Sequence, residues 1–244
     1  MSVITVTFNG HDLTSEFVAS RPRIQGMPVD IGSVEVPGMD GSLFTGARLG
    51  PKTIGITLTA KASTFADRRD ALRKLFGYLR VDEPKALAFS FDNGLFYLAV
   101  PTTTGDIGFY RRHASIDVEF VAHDPAMYSA EVTKTVPSGS SVTFTVDGNY
   151  PTRPTISASA AKRGSGGFWR LDKNSGEQKF TVTLPNNNTT VIAADCGSRV
   201  LTVAGNVSML DPSSDWLVLK PGSNTIAMTG TGAATIKYRE RWLR

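Results

Sequence analysis

Residues 37–60 read PGMDGSLFTGARLGPKTIGITLTA and combine two different patterns. The first part, residues 37–51, is interrupted by glycine and proline but carries several large apolar residues. Such a segment is too apolar for an idle loop and too irregular for a core strand. The second part, residues 54–60, alternates with a period of two, which predicts a β-strand with one buried face. We therefore expect a strand preceded by an apolar segment that is covered either by its own domain or by another molecule.

Further strand patterns lie on both sides of this stretch. Residues 3–8 and 115–121 alternate in the same way and predict two more half-buried strands. Residues 87–91 and 95–100 are apolar runs joined by Asp92-Asn93-Gly94, a turn sequence that tolerates positive φ, so they predict a β-hairpin.

One helix is predicted between these strands, over residues 65–79. Thr64 precedes it as the N-cap, and Asp67 three positions later approximates a capping box. The apolar residues share one face of the helix and are expected to face the core. They are Phe65, Leu72, Leu75, Phe76 and Leu79.

The second half of the chain contains only short strand-like runs, one of them Leu217–Leu219, with turns between them at spacings of about 8–14 residues. This pattern predicts an all-β sandwich. A boundary is expected near residues 133–140, where the sequence KTVPSGSS interrupts the pattern. We therefore expect two domains, an α+β domain over residues 1–133 and a β-sandwich over residues 134–244, and a protein that is mainly β with one helix.

The charges also divide between these halves. Residues 1–133 hold 13 basic and 15 acidic residues, net −2, whereas residues 134–244 hold 13 and 7, net +6. The basic residues are scattered and form no dense stripe with interleaved aromatics, so we expect no specific nucleic-acid binding. No apolar run reaches the roughly 18–20 residues that cross a bilayer, and the N-terminal residues lack a signal-peptide pattern, so synthesis in a cytoplasm is expected.

The sequence offers little catalytic chemistry. The three histidines are isolated from other ligand-type residues, and nucleophile-elbow, Walker and dinucleotide motifs are absent, so we expect no metal, no cofactor and no catalytic site. The single cysteine, Cys196, is expected to be a small buried hydrophobe. Trp169 and Trp216 could stack on a sugar or fill the core of the sandwich. Carboxylates that could serve a glycosidase, or simply lie in turns, are Asp172, Glu177, Asp195, Asp211 and Asp215.

The order of the segments resembles the distal tail protein family of long-tailed, non-contractile phages. Three motifs recur there in this order: Asp40-Gly41 before a strand-forming segment, DPAMYS at 124–129 at the end of a domain-closing strand, and LKPGSNTI at 219–226. The resemblance covers essentially the whole chain.

This resemblance implies a belt domain that forms a hexameric ring at the tail tip of the virion, followed by a galectin-like sandwich. The ring would join the tail tube protein to a tail-associated hub or fibre protein, with a channel that DNA crosses without specific binding. Residues in the segment 37–58 are expected at the subunit interface, namely Met39, Asp40, Gly41, Leu43, Phe44, Arg48 and Leu49.

The competing hypothesis is a carbohydrate-binding module or glycosidase that acts on bacterial cell walls. Trp169 and Trp216 are its candidate contacts with a host glycan. Galectins bind sugar with a set of residues that includes histidine, and the second domain has none, so the resemblance implies the sandwich architecture and not the sugar binding.

Overall fold

The computed structural model describes residues 4–105, 107–109, 113–161, 168–184 and 189–244. The chain forms two compact units: unit 1 comprises Met1–Tyr128 with Leu243–Arg244, and unit 2 comprises Ser129–Trp242. The division falls slightly before the boundary expected after Thr133, since the segment KTVPSGSS completes a strand and forms a turn inside unit 2. No helix in the described ranges is both long and apolar enough to cross a membrane.

Unit 1 is built from antiparallel strands and, in the part of the chain described, the single α-helix α1 (Phe65–Leu79). Its strands are β1 (Val6–Phe8), β2 (His11–Asp12), β3 (Phe17–Ala19), β4 (Arg23–Ile24), β5 (Val29–Val34), β6 (Leu43–Leu49), β7 (Lys52–Ala60), β8 (Lys85–Phe89), β9 (Phe96–Thr104), β10 (Gly108–Phe109), β11 (Ala114–Ala122) and the start of β12 (Met127–Val136).

The centre of unit 1 is the pairing of β7 with β11. Both strands alternate between buried and less buried residues along their whole length. Their register places Ile54 opposite Phe120 and Ile56 opposite Val118, and all four side chains are buried. Apolar residues that alternate on paired strands share one sheet face, so this face forms the core, as the period of residues 54–60 predicts.

Helix α1 begins and ends where the sequence pattern predicts. Thr64 Oγ1 accepts a hydrogen bond from the Asp67 backbone N–H at 3.1 Å, which confirms the N-cap. The buried face of the helix differs in part from the predicted apolar face, because Phe65 and Phe76 are exposed. The residues that are buried are Arg68, Ala71, Leu72, Leu75 and Leu79.

The other predicted elements of unit 1 are also present. The hairpin predicted around Asp92-Asn93-Gly94 is β8–β9, and Asn93 and Gly94 both adopt positive φ there. The strand predicted over residues 3–8 is present only in its second half, as β1, because Ile4 and Thr5 are not in a strand and Val3 lies outside the described residues.

Unit 2 is a sandwich of two antiparallel sheets. Its strands after β12 are β13 (Ser141–Val146), β14 (Thr155–Ala161), β15 (Phe168–Lys173), β16 (Gln178–Thr183), β17 (Thr189–Asp195), β18 (Val200–Val203), β19 (Asn206–Ser208), β20 (Gly222–Thr229) and β21 (Ala234–Trp242). One sheet has the order β12-β21-β14-β17-β18-β19 and the other β13-β20-β15-β16.

A single apolar core lies between these sheets. It contains Ile156 and Ile236 from the first sheet and Leu171, Phe180 and Ile226 from the second, all buried. The run Leu217–Leu219 is not a strand: Leu217 and Leu219 are buried, but only Leu219 forms a β-bridge, to Thr152. The apolar run at residues 217–219 therefore indicates buried residues, but it does not form the predicted strand.

Candidate assembly surface

The hairpin β5–β6 forms a two-stranded sheet of its own in unit 1. Its register runs from Val29 opposite Leu49 to Val34 opposite Leu43, and the hairpin loop (residues 35–42) connects the strands. Within the described part of the chain, neither strand pairs with any other. Each therefore has an open edge of backbone hydrogen-bonding groups.

A β-bulge lies in the middle of the hairpin. Gly32 pairs with Gly46 and Ser33 pairs with Phe44, so Thr45 is the extra residue. A Cβ atom on Gly32 would stand 2.7 Å from Thr45 Oγ1, and Gly46 has a φ of +148°. These two glycines thus make room for the bulge and supply the backbone conformation next to it, which explains part of the glycine punctuation in this stretch.

Large apolar side chains cover the hairpin, and they are exposed to solvent. Every residue of β5 is exposed, and the exposed fractions reach 69% for Ile31 and 68% for Phe44. Met39 and Leu43 are exposed by 56% and 50%. A two-stranded hairpin alone is marginal in water, and contiguous exposed apolar surface marks an interaction site. This hairpin is therefore the candidate assembly surface of unit 1.

All seven residues expected at the subunit interface lie on this hairpin, Met39, Asp40 and Gly41 in its loop and Leu43, Phe44, Arg48 and Leu49 on β6. Leu49 is half-buried, and the other six are exposed. Arg48 Nε lies 3.3 Å from Asp30 Oδ2, with both side chains largely exposed, so this ion pair contributes little to stability. Val29, Ile31 and Val34 on β5 are also exposed apolar residues and were not predicted, although the alternation of Val29 and Ile31 was a usable signal.

The candidate sugar contacts do not form a site. Trp169 is fully buried and packs edge to face on Phe180 in the core of unit 2. A fully buried indole offers no face to a sugar, so the expected contact does not hold for Trp169. Trp216 is half-buried, and its ring packs on the other side of the same core against Phe180 at 5.8 Å.

Four of the five candidate carboxylates take part in turns or ion pairs, and the fifth, Asp215, is exposed. Asp195 accepts hydrogen bonds from the Gly197 and Ser198 backbone N–H groups, and Asp211 accepts from Ser213, so both are turn residues. Asp172 and Glu177 form ion pairs with basic side chains nearby. In the residues that the structure describes, no three histidine, cysteine, aspartate or glutamate side chains group as a metal site would require.

Two models of protein families match the chain, one for each unit. The model described as the phage tail protein RIFT-related domain matches residues 8–122. The model described as the siphovirus-type tail component, C-terminal domain, matches residues 147–242. A search of curated protein sequences finds no match.

Solved structures share the fold over nearly the whole chain. The Dit protein of phage SPP1, described as a paradigm of the hub adsorption apparatus in phages that infect Gram-positive bacteria, is 23% identical with a TM-score of 0.76, and the match covers 99% of this chain and 100% of that one. A chain of the phage P2 baseplate, in its activated conformation with calcium, is 8% identical with a TM-score of 0.54, covering 98% of both chains. The corresponding chain in the strontium form of that baseplate is 8% identical with a TM-score of 0.53, and the match covers 97% of this chain and 98% of that one.

The matches confirm the resemblance to phage distal tail proteins. Both family models describe phage tail proteins, and they occur in the order that the sequence motifs predict. The first matches the strand and helix domain, and the second matches the sandwich. The chain therefore belongs to the family of siphovirus distal tail proteins, which are structural proteins of the phage tail tip.

Proposed function

We propose that six copies of this chain form a closed ring at the tail tip through the β5–β6 hairpin, and that the ring joins the tail tube to a tail-associated hub or fibre protein. The observation that carries this proposal is the hairpin, which is apolar and exposed along both strands. A monomer would leave that surface in water, whereas a ring covers it.

A closed ring suits a surface of this kind. The hairpin pairs with no other strand in the described part of its chain, and we infer that it fits a different patch on the next subunit. Such head-to-tail contacts are heterologous, and they close into rings when the rotation between subunits permits. A ring also leaves a central channel, which DNA can cross without a basic stripe to bind it.

The similar structures support a role as a connector. One is described as a hub of an adsorption apparatus, and the others are chains of a phage baseplate. Both descriptions support a role for this chain in the assembly at the tail tip. We therefore expect protein partners at the tail tip, and not a membrane or a cofactor.

The proposed role is structural, without enzymatic activity. Four of the five carboxylates considered for a glycosidase take part in turns or ion pairs, and Trp169 is in the core. These placements favour the connector over the carbohydrate-binding alternative, because a glycosidase needs two carboxyl groups that face one substrate cleft.

The test is a double substitution on the hairpin, Leu43→Asp with Phe44→Asp. Two carboxylates in a desolvated contact cost far more than they do in water, so the variant should shift from hexamer to monomer. Light scattering after size exclusion gives the mass of each species, and circular dichroism checks the fold.

A matched control uses two apolar residues of unit 2 that are even more exposed, Val207 and Met209, at 81% and 93%. Val207→Asp with Met209→Asp adds the same charge in unit 2 and should leave a hexamer. A folded hairpin variant that keeps its six-chain mass would contradict the role of the hairpin. A wild-type protein that stays monomeric at every concentration would contradict the ring.

A further inference from the structure

A ring that is built head to tail needs a receiving surface as well as a protruding hairpin. Unit 1 contains a pocket of about 600 Å³ whose walls include Ile4, Ile24 and Phe91 on the apolar side and Arg21, Gln25 and Arg244 on the polar side. The Phe91 side chain is 40% exposed, which is high for a ring of this size. The pocket thus offers an apolar wall with a basic rim.

The walls of this pocket are held in place by side-chain contacts. The Arg244 guanidinium lies over the Phe91 ring at 5.4 Å and donates to Asp92 Oδ1 at 2.5 Å. Phe91 also stacks on the buried ring of Phe89 at 5.3 Å. Because these groups are already ordered, little conformational entropy is lost when a ligand enters.

The charge of the pocket complements the charge of the hairpin loop. The loop, EVPGMDGS at 35–42, carries Glu35 and Asp40 and no basic residue. At the pocket, Arg21 is exposed, whereas Arg244 is engaged with Asp92. An acidic loop with apolar side chains beside it therefore meets an apolar wall with a basic rim, and such complementarity fixes both partner and register.

The hairpin loop cannot occupy the pocket of its own subunit. Gln25 lies just before β5, at the base of the hairpin, where Val29 pairs with Leu49. The loop begins after Val34 at the far end, about 17 Å along a strand that rises about 3.4 Å per residue. A paired hairpin does not fold back over that distance, so the loop that enters the pocket must come from another copy.

We propose that the hairpin loop of one subunit docks in this pocket of the next subunit, with Met39 and Phe44 on the apolar wall and Asp40 beside Arg21. This inference rests on the proposed ring and adds the identity of its receiving surface. It also explains why unit 1 leaves both surfaces uncovered: each is the partner of the other.

Cysteine cross-linking tests the pairing directly. Arg21→Cys combined with Asp40→Cys puts one thiol at the pocket rim and one on the loop, while the native Cys196 is fully buried and does not react. After mild oxidation, a non-reducing denaturing gel should show a ladder of covalent species up to six chains. Each single variant should show no ladder.

A matched pair, Asp40→Cys with Asp82→Cys, keeps the loop thiol and moves its partner to an exposed position outside the pocket lining. This pair should give no ladder. A hexamer by light scattering without a ladder from the Arg21 pair would overturn the docking proposal and leave the ring intact. A disulfide formed between the two new cysteines of one chain would also overturn it. A wild-type protein that is monomeric in solution would instead contradict the ring itself.

Exchange of the two charges gives an independent readout. Arg21→Asp and Asp40→Arg should each raise the dissociation constant of the ring by about tenfold or more, since each places like charges together. The double exchange should restore most of the affinity. Equal loss in the single and the double variants would show that the two residues do not face each other.

Discussion

At the residue scale, the buried lysine of unit 2 shows how local partners set charge states. Lys173 is fully buried, and its Nζ lies 3.7 Å from Glu177 Oε2. Glu177 also accepts hydrogen bonds from Lys220 and from Asn174 Nδ2. The bond from Lys220, with help from Asn174 and the charge of Lys173, lowers the pKa of Glu177 to about 2, while burial lowers the pKa of Lys173. The carboxylate was considered for catalysis, but its surroundings suit a structural role.

We predict that Glu177→Gln lowers the stability of unit 2 in a pH-dependent way. A carboxyl group with a folded-state pKa below its usual 4.5 contributes stability that is present above 4.5 and is lost as the pH falls through about 2. The melting temperature of the variant should therefore lie below that of the wild type at pH 7, and the gap should shrink between pH 4.5 and 2. Glu131→Gln is the control, because it breaks the half-exposed pair with Lys237 and should change little. A gap that stays constant with pH would contradict the assigned role.

At the element scale, the parts that the sequence predicts well are those whose pattern is decided locally. Strand β7 shows a clean period of two because one face is buried, and α1 has a capping residue and a helical period. The hairpin β5–β6 was not predicted as a hairpin, because neither face is buried within the chain and the bulge at Thr45 interrupts the alternation. Its exposed apolar residues Met39, Leu43 and Phe44 were singled out all the same, because their apolar character does not fit a loop.

We predict that Thr64→Ala destabilises unit 1 by about 1 kcal/mol through loss of the helix cap. The Asp67 backbone N–H would lose the Thr64 Oγ1 acceptor that stands 3.1 Å away, and water would replace it only in part. Ser63→Ala, one position earlier and also exposed, should change the free energy of unfolding by less than about 0.5 kcal/mol. Urea denaturation followed by circular dichroism measures both values, and equal effects of the two substitutions would show that the cap is not used.

At the scale of the whole molecule, the sequence carries a signal for a domain boundary but none for the return of the last residues to unit 1. The boundary is signalled by composition and charge, which are properties of neighbouring residues. Leu243 and Arg244 join unit 1 through contacts with residues far away in the sequence. Lys52, which is almost fully buried, donates to the Arg244 carbonyl oxygen at 2.9 Å, and no local pattern near residue 244 encodes that bond.

Arg244 should therefore stabilise unit 1 and leave unit 2 unaffected. Its guanidinium is the ion-pair partner of the buried Asp92, whose pKa is raised by burial and held down in part by Arg244. Loss of one partner from a buried pair costs about 3–5 kcal/mol, and the half-exposed position of Arg244 reduces this to about 2 kcal/mol. Hydrogen exchange should show faster opening of β7 and β9 in Arg244→Ala, with β14 and β21 unchanged.

The same reasoning predicts how the two units behave when they are separated. Residues 129–242 contain the whole core of the sandwich and should unfold cooperatively as an isolated fragment. Residues 1–128 lack both the Arg244 side chain and the carbonyl oxygen that accepts from the buried Lys52, so they should be less stable than unit 1 of Arg244→Ala. The control for Arg244→Ala is Arg73→Ala, which removes an exposed ion pair with Asp70 on helix α1. It should change the free energy of unfolding of unit 1 by less than about 0.5 kcal/mol. If Arg244→Ala speeds exchange equally in both units, the residue stabilises the chain as a whole and the two units do not unfold independently.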